Sequence, residues 1–188
     1  MKKLCIKHLK TRSEARPDNQ SWLTSLVGGV LVCLLSLNVQ GDTLAGRVVG
    51  ITDGDTLTLL DQNNVQHKIR LAGIDTPEKA MPWGQKAKEG LSDLAFDRTA
   101  LIEWDKIDRY RRIIGKVLVD GRDVNLALIR NGLAWHYKKY EKEQSASDRL
   151  AYSREEAAAR SARRGLWADS EPIPPWEWRK IRRAGKSS

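Results

Sequence analysis

Two short stretches carry residue types that can do chemistry. Asp53-Gly54-Asp55-Thr56 and Arg70-Leu71-Ala72-Gly73-Ile74-Asp75-Thr76-Pro77-Glu78 hold carboxylates and one arginine. If each lies where strands end, adjacent strands bring these side chains to one place. Carboxylate oxygens with no accompanying His or Cys cluster are hard ligands that select Ca²⁺ or Mg²⁺ over zinc or copper. The histidines, His8, His67 and His136, stand apart and read as surface or packing residues. An EF-hand does not account for the first loop, because counting from Asp53 puts Asn64 where a bidentate Glu is needed. A third stretch, Asp108-Arg109-Tyr110-Arg111-Arg112, gathers guanidinium groups around one ring. Guanidinium forks bind phosphate bidentately, and a tyrosine face receives a base or sugar. Turn aspartates and surface arginines are ordinarily structural when taken singly; their combination points to a cation beside a phosphate.

The elements that must position these groups are legible from periodicity. Leu44–Ile51, Thr56–Leu60 and Val65–Ala72 are β-branched runs separated by Asp53-Gly54-Asp55 and Asp61-Gln62-Asn63-Asn64, which are turn chemistry, so they predict a β-meander. Alternation along Lys68-Ile69-Arg70-Leu71 puts Lys68 and Arg70 on one face and Ile69 and Leu71 on the other. A polar loop over Gly73–Gly84 leads to a helix over Gln85–Arg98, where Ala87, Leu91, Leu94 and Ala95 share a face. Strands follow at Leu101–Trp104 and Ile113–Val119, then a helix over Val124–Asn131 closed by Gly132, and a last helix over about Ser147–Arg164 with Gly165 after its end. The order β-β-β-α-β-β-α-α predicts an α+β protein: a five-stranded OB-type Greek-key barrel with about three helices, an architecture whose surface commonly binds oligonucleotides.

Composition sets the frame. The 188 residues suit one domain, two cysteines make no disulfide scaffold, and 30% charged residues with a single long uncharged stretch exclude a polytopic membrane protein. That stretch, Ser21–Gly41, follows a basic segment and ends with the small Gly41 two positions after Val39, so residues 1–41 read as a secretory signal cleaved near Gly41/Asp42 or as a retained membrane anchor. Both cysteines, Cys5 and Cys33, fall in this leader, which leaves no thiol chemistry for the rest. Six basic and two acidic residues precede position 42, so 42–188 keeps +5 of the overall +9. Export to the periplasm or the exterior is the expected route, and a monomer the expected state. The barrel domain is expected over 42–169 and a separate tail over 170–188. In that tail Pro172, Pro174 and Pro175 argue against regular helix, Trp176 and Trp178 are expected to pack back on the barrel, and Arg179–Lys186 to be solvated.

The successive motifs Asp53-Gly54-Asp55-Thr56, Arg70…Asp75-Thr76-Pro77-Glu78, Asp108-Arg109-Tyr110…Arg112 and Val124-Asn125…Leu128-Ile129…Gly132-Leu133-Ala134 resemble those of the thermonuclease, or staphylococcal nuclease-like, family over about residues 44–168. The resemblance implies an OB-barrel endonuclease that uses Ca²⁺ to cleave DNA and RNA, leaving 3′-phosphate ends. It implies Asp55 and Asp75 as metal carboxylates, the Thr76 carbonyl as a further ligand, Glu78 as general base, and Arg70 and Arg112 as phosphate-binding catalytic residues. Arg109, Tyr110 and Tyr137 or Tyr140 match positions that touch nucleotide. Arg111 stands where the family usually has Gly, which predicts a reshaped, more cationic turn, and the loop Lys79–Gly84 is short. The competing reading is a noncatalytic exported module that binds nucleic acid or another anionic polymer through its charge.

Overall fold

A computed structural model describes residues 42–185. The expected leader with its two cysteines, and the last three residues of the tail, lie outside the described residues. Strands β1 (Asp42–Ile51), β2 (Thr56–Asp61) and β3 (Gln66–Leu71) form the antiparallel meander, and two-residue β4 (Ile74–Asp75) follows. Helix α1 (Gly84–Ala95) leads to β5 (Thr99–Ile107), which pairs with β1, and β6 (Ile113–Val119) pairs with β5. Parallel pairing of β3 with β6 closes the sheet into a five-stranded barrel.

Register decides which residues reach the site. Ile69 and Leu71 are buried in the core with Val48, Leu57, Leu59 and Ile102, while Lys68 and Arg70 stand on the other face as alternation predicts. A one-residue slip of β3 would exchange those faces, exposing two side chains whose burial is worth about 1.5–3 kcal/mol each and burying two cations. Arg70 therefore points to the site because its neighbours must point to the core.

After β6, β7 (Arg122–Asp123) leads into α2 (Val124–Arg130), β8 (Trp135–His136) and α3 (Ala146–Ser161). Asp123 caps α2 by accepting from the Leu126 N–H at 2.9 Å and also accepts from the Tyr152 hydroxyl at 2.9 Å, joining α2 to α3. The fully buried Asn125 donates to the Ala72 carbonyl at 2.9 Å, which ties α2 to the loop between β3 and β4. Gly132 takes φ +69° as the chain leaves α2, the left-handed conformation expected of it. β8 pairs with β4, Ile74 opposite His136 and Asp75 opposite Trp135. The buried Glu156 of α3 holds that pairing by accepting the His136 N–H at 3.1 Å.

Two expectations fail locally. α3, expected to run to about Arg164, stops at Ser161; Arg163 at φ +51° turns the chain away, and Gly165 follows at φ +54°. The tail is not devoid of regular helix: α4 spans Pro175–Ala184 and makes a fourth helix. Pro175 opens it at a position where a missing N–H breaks no helical bond and a fixed φ is already helical.

Burial pushes the Asp123 carboxyl above its usual range, while the Leu126 N–H and Tyr152 hydroxyl pull it back. Because its folded pKa lies above the unfolded one, ionised Asp123 opposes folding above the unfolded value, and protonation relieves this as pH falls through the folded value. Tyr152→Phe removes one donor from that buried charge. Denaturant unfolding should show a loss of about 1–3 kcal/mol at pH 7 that narrows on acidification, and a loss independent of pH would show that Asp123 does not feel Tyr152.

Candidate active site

The turn between β1 and β2 presents Asp55. Gly54 is required there, since a Cβ would lie 2.7 Å from both the Thr76 hydroxyl and the Ala87 Cβ. That close approach lets the Thr76 N–H (3.1 Å) and Oγ1 (3.0 Å) both donate to Asp55 Oδ2. Thr76, expected to offer its carbonyl, thus also aims the Asp55 carboxylate. Asp75, from β4, is only 1% exposed. Burial raises its pKa even though Arg179 and Arg70 act the other way, and the Asp55 charge adds to the rise. Asp53 rises too, from burial and then from the same neighbour.

Arg70 binds the two acids together. Its Nη2 lies 3.1 Å from Asp55 Oδ2 and 3.2 Å from Asp75 Oδ1, and its Nη1 donates to the Leu71 carbonyl at 2.7 Å and the Ile74 carbonyl at 3.0 Å. Arg112 is fixed by Asp108, whose Oδ2 accepts from its Nε at 2.9 Å and lies 2.8 Å from its Nη2. Asp108 Oδ1 also accepts the Tyr110 and Arg112 backbone N–H groups. These bonds hold its carboxyl below the usual range against the opposing effect of burial. From Arg112 a link runs to Asp55: Nη1 is 3.5 Å from Thr56 Oγ1, which is 3.2 Å from Asp55 Oδ1. Tyr110 stands 68% exposed at the rim, with the Arg109 and Arg112 guanidiniums 5.2 and 5.6 Å from its ring centroid. Arg111 adopts φ +62°, the left-handed conformation that a glycine takes without strain, and donates its N–H to the Asp108 carbonyl at 2.9 Å.

Asp55, Asp75, Thr76, Glu78, Arg70 and Arg112 therefore converge on one open groove of about 1340 Å³. Arg109, Tyr110 and Tyr137 line it as well. Sequence reasoning missed what α4 contributes. Arg179, expected to be solvated, places Nη2 at 2.6 Å from Asp75 Oδ2 and Nη1 at 2.8 Å from Glu78 Oε1. Trp176, one turn before it, stacks on Tyr137 with centroids 5.4 Å apart and meets Trp135 edge-on at 5.5 Å, so this tail tryptophan packs against β8 and the residue that follows it. Proline at the start of a Trp-x-x-Arg spacing was the available signal.

Comparison with known proteins agrees with this geometry. A family profile described as Staphylococcal nuclease homologue matches residues 68–169. The chain belongs to that family. It is 42% identical over 134 residues to an uncharacterized endonuclease of Haemophilus influenzae, covering 71% of this chain and 72% of that one. It is 38% identical over 135 residues to an uncharacterized endonuclease of Escherichia coli, covering 71% and 84%. It is 33% identical over 163 residues to a micrococcal nuclease of Shigella flexneri, covering 82% and 90%. As a staphylococcal nuclease homologue the chain is a nuclease, a phosphodiesterase whose substrate is nucleic acid.

Two measurements check the local geometry. In Arg111→Gly the left-handed turn no longer carries a Cβ, so the midpoint of denaturant unfolding should rise by an amount worth about 1 kcal/mol, whereas a fall would mean that the Arg111 side chain stabilises the turn. Trp176→Ala removes an aromatic contact worth about 0.5–1.5 kcal/mol, so amide exchange across 175–184 should quicken up to about tenfold while β2 and β3 keep their protection.

Proposed function

We propose that this nuclease is a Ca²⁺-dependent endonuclease that hydrolyses DNA and RNA with little sequence preference and leaves 3′-phosphate ends. The observation that carries the reading is the unbroken run of contacts from Arg112 through Thr56, Asp55, Arg70 and Asp75, with Glu78 at the same groove. The donor set fits a hard divalent cation: burial and the neighbouring Asp55 charge raise the cost of ionising Asp75, and a cation at the two carboxylates would relieve it. Among the described residues no group of three or more His, Cys, Asp or Glu forms a complete metal cage, so waters and substrate oxygens would fill the shell. Asp55 and Asp75, with the Thr76 carbonyl, would hold the ion. When bound, it supplies charge neutralisation at a phosphate oxygen.

The chain's own residues supply the rest. Glu78 takes a proton from water as the water oxygen attacks phosphorus, the bond from phosphorus to the 5′-oxygen breaks, and that oxygen takes a proton from solvent to leave as a hydroxyl, with the phosphate kept on the 3′ side. Arg70 and Arg112 approach from different strands and meet the charge that grows on the equatorial oxygens, a task suited to guanidiniums already locked by Asp55 and Asp108. Tyr110 and Tyr137 offer ring faces to bases or sugars, and stacking tolerates any sequence. The net positive charge of the chain makes affinity for a polyanion fall steeply with salt. Its leader composition favours action outside the cytoplasm, released or tethered according to whether residues 1–41 are removed.

The test is degradation of single-stranded DNA and RNA by the purified protein with Ca²⁺, Mg²⁺ or chelator. Turnover should require the cation, and Glu78→Gln or Arg112→Ala should each lower kcat about a hundredfold or more with the circular dichroism unchanged. Full activity in chelator would remove the cation from the mechanism, and full activity in the double variant would remove both assigned roles.

A further inference from the structure

The acidic end of the groove already contains a cation that belongs to the chain. Arg179 is carried by α4, beyond the residues 68–169 that match the family, and it grips the two carboxylates that the proposed reaction needs free. Both its nitrogens reach Asp75, at 2.6 and 3.3 Å, and one also holds Glu78 at 2.8 Å. We propose that Arg179 is a built-in competitor for the divalent cation, holding Asp75 and Glu78 in a closed, inactive state until a metal ion displaces its guanidinium. This rests on the reading of Asp75 as a cation ligand and Glu78 as the base.

Three observations support displacement over permanent pairing. The first is charge: Asp55, Asp75 and Glu78 face Arg70 and Arg179, so the set is one positive charge short of neutrality. A divalent ion in place of Arg179 makes up that charge. The second is the difference between the two guanidiniums. Arg70 is 14% exposed and also bonds two backbone carbonyls, whereas Arg179 is 38% exposed and its other partner, Glu78, is 42% exposed. Arg179 is the one that water can reach and replace. The third is that α4 has an anchor of its own. Trp176 packs on Tyr137 and Trp135, so the side chain of Arg179 can release Asp75 without the helix leaving. Until it does, the Glu78 oxygen bonded to Arg179 is not available to receive a proton.

If the carboxylates are free only a fraction of the time, apparent cation affinity falls by that fraction. Calorimetric titration of the full-length protein with Ca²⁺, in the absence of nucleic acid, reads this directly. Arg179→Ala and Arg179→Gln should bind Ca²⁺ about tenfold more tightly than wild type, and Arg179→Lys, which keeps the charge but not the fork, should fall between. Lys180→Ala removes the same unit of charge from a side chain that pairs with Glu177, and its affinity should stay within about twofold of wild type. Amide exchange over α4 should be unchanged in the Arg179 variants, since Trp176 holds the helix. Unchanged or weaker Ca²⁺ binding in Arg179→Ala and Arg179→Gln would overturn the inference, and so would equal tightening in Lys180→Ala. Absence of Ca²⁺ binding in wild type and every variant would instead overturn the cation reading of the site, and the inference would fall with it.

Discussion

Everything at this site follows from placing Asp55 and Asp75 close together and out of water. Both lose hydration on burial, and the Asp55 charge makes Asp75 harder to ionise. Arg70 eases both problems with one group. Its fixed fork reaches both carboxylates and still has donors for the carbonyls of Leu71 and Ile74, so the guanidinium that pairs with both acids also shapes the turn from β3 into β4. Removing one member of such a set leaves the others buried and unpaired, which costs more than the pairing contributes. Stability and catalytic geometry are therefore hard to separate here.

Closure of the barrel brings the second arginine into place. The parallel pairing sets Ile69 opposite Ile113 and Arg70 opposite Ile114, so the turn that carries Arg112 enters β6 beside the strand that carries Arg70. Asp108 then fixes Arg112 from within its own turn, with three contacts to Arg112 and a fourth to the Tyr110 N–H from one side chain. Rigid support of this kind suits a group that must meet charge developing at phosphorus, because little reorganisation is left for the reaction itself. At the opposite end of the hierarchy, Tyr110 is held loosely at the rim, where tolerance of different bases matters more than fixed geometry.

What could be read in the sequence was what is local or periodic. Alternation located Ile69 and Leu71 inside and Arg70 outside, and β6 was bounded to the residue because Ile113 and Val119 sit between turn residues. The helical face of Ala87, Leu91 and Ala95 was equally plain. The two-residue strands β4 and β8 were not visible, because so short a pairing leaves no period to detect and exists only once α3 supplies Glu156. The same limit applies to Thr76 and Asp108. Their side chains act by orienting Asp55 and Arg112, and nothing in a residue's own type reports which neighbour it will steer.

Arg179 is the extreme case of that limit, and it shows why the limit matters. A lysine- and arginine-rich tail after three prolines has every mark of a solvated segment, and the cues that α4 forms, Pro175 at its first turn and Trp176 beneath it, concern the helix and not its target. The carboxylate that Arg179 meets lies 104 positions earlier. Its position there depends on β4, which depends on β8, which depends on α3. A charge so far along the chain finds its partner only after the rest has folded, so its pairing is a property of the finished surface. For the same reason the local motifs specify the parts of a phosphodiesterase, while a helix near the far end of the chain determines whether Asp75 and Glu78 meet solvent or a guanidinium.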